Sequence, residues 1–240
     1  TQNTAIISAN SGKTGMRFSV TDMRNRDILP ETNMSRDNFN LRVNTSLGKI
    51  DFDFTANYTR ENVKNRPALG DSQSNVGKNL MTLANTYNQA WLKNYQTADG
   101  EYANWNGLDQ YNRNPYWDLY KNSNKSDKDV FRFTAKAIYN IDSHLKIQGT
   151  IGTDINNMNF QDYIARTTPG KSAGQLQESV FQNRTLNAEI LALYNNQFGD
   201  FDVNATLGGN IYKVDNKTNI LTGLGQQMKD VIAIMNYQEQ

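Results

Sequence analysis

The sequence predicts an all-β fold, part of a large antiparallel transmembrane β-barrel with about eight strands in this chain and long extracellular loops, one of them containing a helix. Three observations predict it. Apolar and polar residues alternate with period two in repeated segments of about ten residues. The segments come in pairs joined by tight turns. Between the pairs lie long connections, so short and long joins alternate along the chain, as tight periplasmic turns and large surface loops do in outer-membrane barrels.

The first pair is Thr4–Ala9 and Met16–Met23, joined through Asn10-Ser11-Gly12-Lys13. The second is the clearest. Phe39, Leu41, Val43, Thr45 and Leu47 alternate with Asn38, Asn40, Arg42, Asn44 and Ser46. After Gly48-Lys49 the pattern resumes as Ile50, Phe52, Phe54, Ala56 and Tyr58 against Asp51, Asp53, Thr55 and Asn57. Successive strand side chains point to opposite faces, so each arm has one apolar and one polar face. A tight join makes the two arms a hairpin. Phe131 to Asn140 and Leu145 to Asp154 repeat the unit around Asp142-Ser143. Leu186 to Asn195 and Phe201 to Ile211 repeat it around Gly199-Asp200, although Leu191 and Leu193 fall on the polar register. Ten residues at a tilt near 45° cross a bilayer core.

The long connections are expected at 24–37, 62–128, 158–181 and 215–240. The stretch 62–128 is too long to be structureless. Val76, Leu80, Leu83, Tyr87 and Trp91 recur at helical spacing behind a possible N-cap at Ser74 or Asn75, which predicts a helix over 76–94. On the strands, the polar register carries Arg42, Arg132, Lys136, Lys146 and Asp154, expected to face a wet lumen. Phe39, Phe52, Tyr58, Phe131, Phe133 and Tyr139 lie on the lipid-side register, where those near strand ends suit interfacial girdles.

Composition narrows the function. A formal charge of +1 gives no electrostatic case for nucleic acid, and the absence of cysteine removes thiolate sites and disulfides. The one histidine, His144, sits beside Asp142 at a short turn. Asp51/Asp53 and Asp200/Asp202 share a strand face but lack a perturbing environment. The glycines at 208–209 and 223–225 are not in a strand-to-helix phosphate loop, and Asp71-Ser72-Gln73 and Asp99-Gly100 read as ordinary turns rather than calcium loops. No catalytic, metal or cofactor site is expected, and the chain is expected not to be an enzyme.

The candidate ligand-binding stretch is Asn104, Trp105, Asn106, Tyr111, Asn112, Tyr116 and Trp117. Flat aromatic rings and amides complement the C–H faces and hydroxyl rims of a sugar. The competing reading is that these aromatics pack the loop onto itself or onto a partner, since so long a loop needs its own core.

In order along the chain, Arg17-Phe18-Ser19 through Asp22-Met23-Arg24-Asn25, then Arg36 to Gly48, then Pro67, Gly70-Asp71 and Asn75 resemble the SusC/RagA-type TonB-dependent outer-membrane receptors. Asn114-Pro115-Tyr116-Trp117 and Arg166-Thr167-Thr168-Pro169-Gly170 continue the resemblance. It implies a larger barrel of 22 strands around a plug domain that this chain does not include. It also implies a SusD-like surface lipoprotein as partner, coupling to TonB through a segment outside these residues, contact with outer-membrane lipid, and an oligosaccharide or peptide as ligand. Two other readings compete. One is a secreted, soluble all-β carbohydrate-binding module. The other is a small structural or adhesive outer-membrane barrel.

Overall fold

A computed structural model describes residues 1–239. The strands are β1 (Gln2–Ser11), β2 (Thr14–Arg26), β3 (Asn33–Leu47), β4 (Ile50–Lys64), β5 (Ser123–Asn140), β6 (Leu145–Ile164), β7 (Gln175–Phe198), β8 (Phe201–Gln226) and the short β9 (Tyr237–Glu239). They form a single antiparallel sheet in sequence order, with β1 and β9 at its two ends. The sheet is an open arc. From β1 to β8 every strand pair holds one register from end to end with no bulge, so a residue's face can be followed across the whole sheet.

One face carries an apolar band. The row Ala9, Met16, Val43, Phe54, Ala135, Ile151, Ala188, Ile211 is apolar in all eight strands. Six residues further along each strand, the row Asn3, Asp22, Asp37, Arg60, Asp129, Asn157, Gln182, Lys217 is polar throughout. The row between these limits at Ala5 is apolar from β1 through β6 (Val20, Phe39, Tyr58, Phe131, Ile155) and then becomes Arg184 and Asp215. At the other edge the band drops too, from the Leu47–Ile50 pair to the Phe198–Phe201 pair. Strand tilt explains the step. In a barrel whose strands lean 35–45° from the axis, hydrogen-bonded rows run oblique to a flat apolar layer, which must slip register from strand to strand.

No second sheet covers this band among the described residues. Ile190, Ile211 and Leu207 remain 60%, 68% and 78% exposed. Fully burying one such side chain is worth about 1.5–3 kcal/mol, so a long uncovered row calls for an apolar surrounding. The opposite face is hydrophilic: Ser8, Arg17, Arg42, Thr55, Thr134, Gly152, Asn187 and Tyr212 form one of its rows. Leu191 and Leu193 do lie on this face, opposite Gly208 and Thr206. A Cβ at position 208 would come within 2.3 Å of the Leu191 side chain, so Leu191 occupies the space the glycine leaves.

The short connections 12–13, 48–49, 141–144 and 199–200 share one edge; 27–32, 65–122, 165–174 and 227–236 share the other. These are narrower than the long connections expected at 24–37, 62–128, 158–181 and 215–240. The strands run further because their outer parts are polar on both faces, as at Asn156, Asn157 and Asn159, and so carry no alternation to read. β8 alone has 26 residues, well beyond the roughly 9–11 that cross a bilayer.

The expected helix over 76–94 is two short ones, α1 (Val76–Met81) and α2 (Gln89–Leu92). Thr82 ends the first, its hydroxyl donating to the Lys78 and Asn79 carbonyls. Asn88 starts the second by accepting from the Ala90 N–H. A third helix, α3 (Pro115–Tyr120), was not expected; Asn114 caps it and Pro115 occupies its first turn, where a missing N–H costs nothing.

Candidate functional site

The loops at the long-connection edge build a lobe with the only sizeable core among the described residues: Tyr102, Trp117, Tyr163, Ala165, Leu176 and Tyr237, flanked by Tyr95, Trp105 and Ile234. Tyr163 and Leu176 are cross-strand partners, and Leu176 pairs with Gly223. Tyr237 lies over Gly223, where a Cβ would sit 2.7 Å from its ring. This row belongs to the same face as the apolar band and lies beyond it, separated by three largely polar rows.

Trp117, 1% exposed, is the keystone. Its ring meets Tyr102 edge-on at 5.3 Å, and its Nε1 donates to Thr168 Oγ1 at 2.8 Å. Thr168 in turn donates to the Ala165 carbonyl, and Asn122 Oδ1 accepts from the Ala165 N–H. Two stretches singled out in the sequence, 114–117 and 166–170, are therefore in direct contact. The Tyr102 hydroxyl accepts from Trp105 Nε1 at 3.0 Å and from the Asn114 N–H at 2.8 Å, and burial pushes its pKa up.

Most of the seven candidate ligand residues are used up in this construction. Trp117 is core and offers no ring face to a sugar. Trp105 packs against that core and meets Tyr87 edge-on. Asn104 Oδ1 accepts from the Gly107 and Leu108 N–H groups, closing a turn. Asn112 bridges Asp109 and Thr82, and Asn106 donates to the Asn112 carbonyl. Tyr116 stacks on Tyr120, which stacks on Tyr95. Among the four aromatic candidates, Tyr111 alone is largely exposed and without a ring partner. The long loop spends its aromatics on holding itself together.

Beneath the lobe lies a cavity of about 430 Å³, bounded by the 27–32 connection, the two roots of the 65–122 connection, α1, α3 and the end of β6. Its inner wall holds a buried ion pair, Arg113 Nη2 to Asp118 Oδ1 at 2.9 Å and Nε to Oδ2 at 3.3 Å, with Asn122 Nδ2 also donating to Asp118 at 2.7 Å. Burial pushes the Asp118 carboxyl up to about 6, outweighing Arg113 and the Asn122 bond, which pull it down. Asp162, from the end of β6, lines the same cavity and makes no hydrogen bond or ion pair with any described residue. Sequence reading passed it over, because an isolated Asp in Phe160-Gln161-Asp162-Tyr163 carries no signal of what folds over it.

On the sheet, Arg42, Arg132, Lys136, Lys146 and Asp154 all lie on the polar face. Arg42 pairs with Asp53 at 2.6 Å and Arg132 with Asp154 at 3.7 Å, while Asn57 donates to Asn38 and Asn40. His144 contacts the Asn195 carbonyl at the short-turn edge, 3.1 Å from its Nδ1. Two backbone N–H groups, from His144 and Leu145, hold the Asp142 carboxyl below its usual range.

No protein-family model matches this sequence, and no curated protein matches it. The fold has a solved counterpart: a chain in the structure of the RagAB peptide transporter superposes with a TM-score of 0.74 at 12% identity. The fold is a segment of β-barrel wall. The match covers all of this chain and 27% of the other, so this chain spans about a quarter of its counterpart's length. At that identity the likeness is one of fold.

Proposed function

We propose that the chain is a section of a TonB-dependent outer-membrane receptor that imports a glycan or peptide, supplying barrel wall and extracellular ligand-capturing loops. The observation that carries this reading is the uncovered apolar band, continuous over eight strands and stepping with their tilt, backed by a polar face. A soluble carbohydrate-binding module would cover that band with a second sheet. A small closed barrel would fill its lumen with side chains, a poor fit to the charged polar face. In this reading the wall meets outer-membrane lipid and the loops face a SusD-like lipoprotein. TonB acts through a plug outside these residues. The cargo is bound and moved without chemical change, so no residue is assigned to catalysis.

The test is uptake by cells. Deleting the gene that encodes this chain should abolish uptake of one class of oligosaccharide or peptide, and collapsing the proton-motive force should do the same in the parent strain. Recovery of the protein in the soluble secreted fraction, with uptake of both classes intact in the deletion strain, would overturn the reading.

A further inference from the structure

The cavity beneath the lobe has a polar wall that is satisfied at every charged or amide group but one. Arg113 is held by Asp118, and Arg66 by Glu61 at 3.6 Å. The four amides are committed as well. Asn65 and Asn124 bond across the roots of the long connection, Asn75 caps α1, and Asn122 joins Asp118 to the Ala165 N–H. Asp27, at the rim, accepts from the Ile28 N–H. Asp162 is the exception, a carboxylate facing the cavity with no donor. The rest of the wall is mainly aliphatic, including Leu29, Ala68, Val76, Leu119 and Ile164, with the hydroxyls of Thr32, Ser74 and Ser123 among them.

We propose that this cavity takes a basic side chain of a peptide, an aliphatic stem ending in an ammonium or guanidinium, with Asp162 accepting the charged head. A half-buried carboxylate without a donor is costly, and a cationic donor meets both its charge and its lone pairs. Both guanidiniums of the wall already have carboxylate partners, so Arg113 acts on Asp162 only through space, without a hydrogen bond, and neither guanidinium is left free to invite an anionic ligand. A neutral sugar fits poorly, because its many hydroxyls would find few free partners, Asp162 and the Ser123 hydroxyl, in a wall of aliphatic carbon and committed amides. At about 430 Å³ the cavity falls in the usual range for small-ligand sites, roughly 300–1,000 Å³, and exceeds one side chain, which leaves room for the adjoining peptide backbone. This rests on the uptake reading above and narrows it from glycan or peptide to peptides that carry a basic residue.

The test uses the complete receptor, purified in detergent, and three pentapeptides identical except at the central residue: lysine, norleucine or Nε-acetyl-lysine. Calorimetry should show the lysine peptide binding at least tenfold more tightly than the other two. Asp162→Asn should erase that difference and leave norleucine binding unchanged. Ala68→Trp, which fills the cavity and leaves the carboxylate in place, should remove lysine-peptide binding too, so a folding defect in one variant leaves the other to report. Equal binding of the three peptides, or a lysine preference that survives both variants, would overturn the assignment. Import that ignores charge would sink this inference and leave the uptake reading standing; lysine-selective binding without any import would do the reverse.

Discussion

The sheet and the lobe solve the same problem in opposite ways. The lobe buries its large side chains within itself: Trp117, Tyr102, Tyr163, Leu176 and Tyr237 touch one another and are almost wholly hidden. The sheet buries nothing comparable. Its Phe, Ile and Leu rows lie bare on one face while Arg, Asp and Asn rows line the other. The lobe is thus organised like a small soluble domain, with a core of its own. The sheet is organised for two different surroundings, one per face. Stability in the lobe comes from packing within the chain, and stability in the sheet depends on what surrounds it.

The largest effect that would break this contrast is in the lobe. Trp117→Ala should cost about 3–5 kcal/mol there, seen as fast amide exchange and early proteolysis across residues 65–122 while strands β2 to β6 keep their protection. Melting of the whole sheet instead would mean that the two regions share one core. Next is the sheet. Ile151→Lys places a charge in the middle of the apolar band and should cost about 2–4 kcal/mol in lipid vesicles; Thr150→Lys, one residue away on the polar face, should cost little. Equal penalties in urea titrations would remove the difference between faces.

The smallest effect sharpens the contrast through pH. Asp118 has a native pKa raised from 3.8 to about 6, so ionising it opposes folding of the lobe. Its contribution favours the native state below pH 4 and is lost as pH rises through 6. The lobe should therefore gain stability, on the order of 1–2 kcal/mol, between pH 7 and pH 4.5. In Asp118→Asn that gain should vanish, as lobe-specific amide exchange at the two pH values would show.

The two regions also differ in how far their sequences could be read. Alternation such as Phe131-Arg132-Phe133-Thr134 exposes a strand, its faces and its turn at once, because a sheet with unlike surroundings must write both into every second residue. Where both faces are polar, as at Lys125 to Lys128, the signal disappears and the strand end reads as loop. The lobe was harder. Helical spacing from Val76 to Trp91 suggested one helix, but Thr82 and Asn88 end and restart it through local side-chain bonds that outcompete propagation. Aromatic residues beside asparagines suggested sugar binding, whereas their partners, Thr168, Tyr163 and Leu176, come from a hairpin about fifty residues away. Asp162 gained its meaning only from the loop that folds above it.

The most direct measurement of the central idea is spin-label accessibility along β5 in native outer membranes. Single cysteines would be placed one at a time from residue 131 to 137, where the chain itself has none. Labels at 131, 133, 135 and 137 should collide with dissolved oxygen as lipid-exposed sites do and be shielded from a water-soluble nickel chelate. Those at 132, 134 and 136 should be shielded from the lipid-dissolved oxygen. Accessibility without a period of two, or odd-numbered sites hidden from both reagents as in a protein core, would contradict the account.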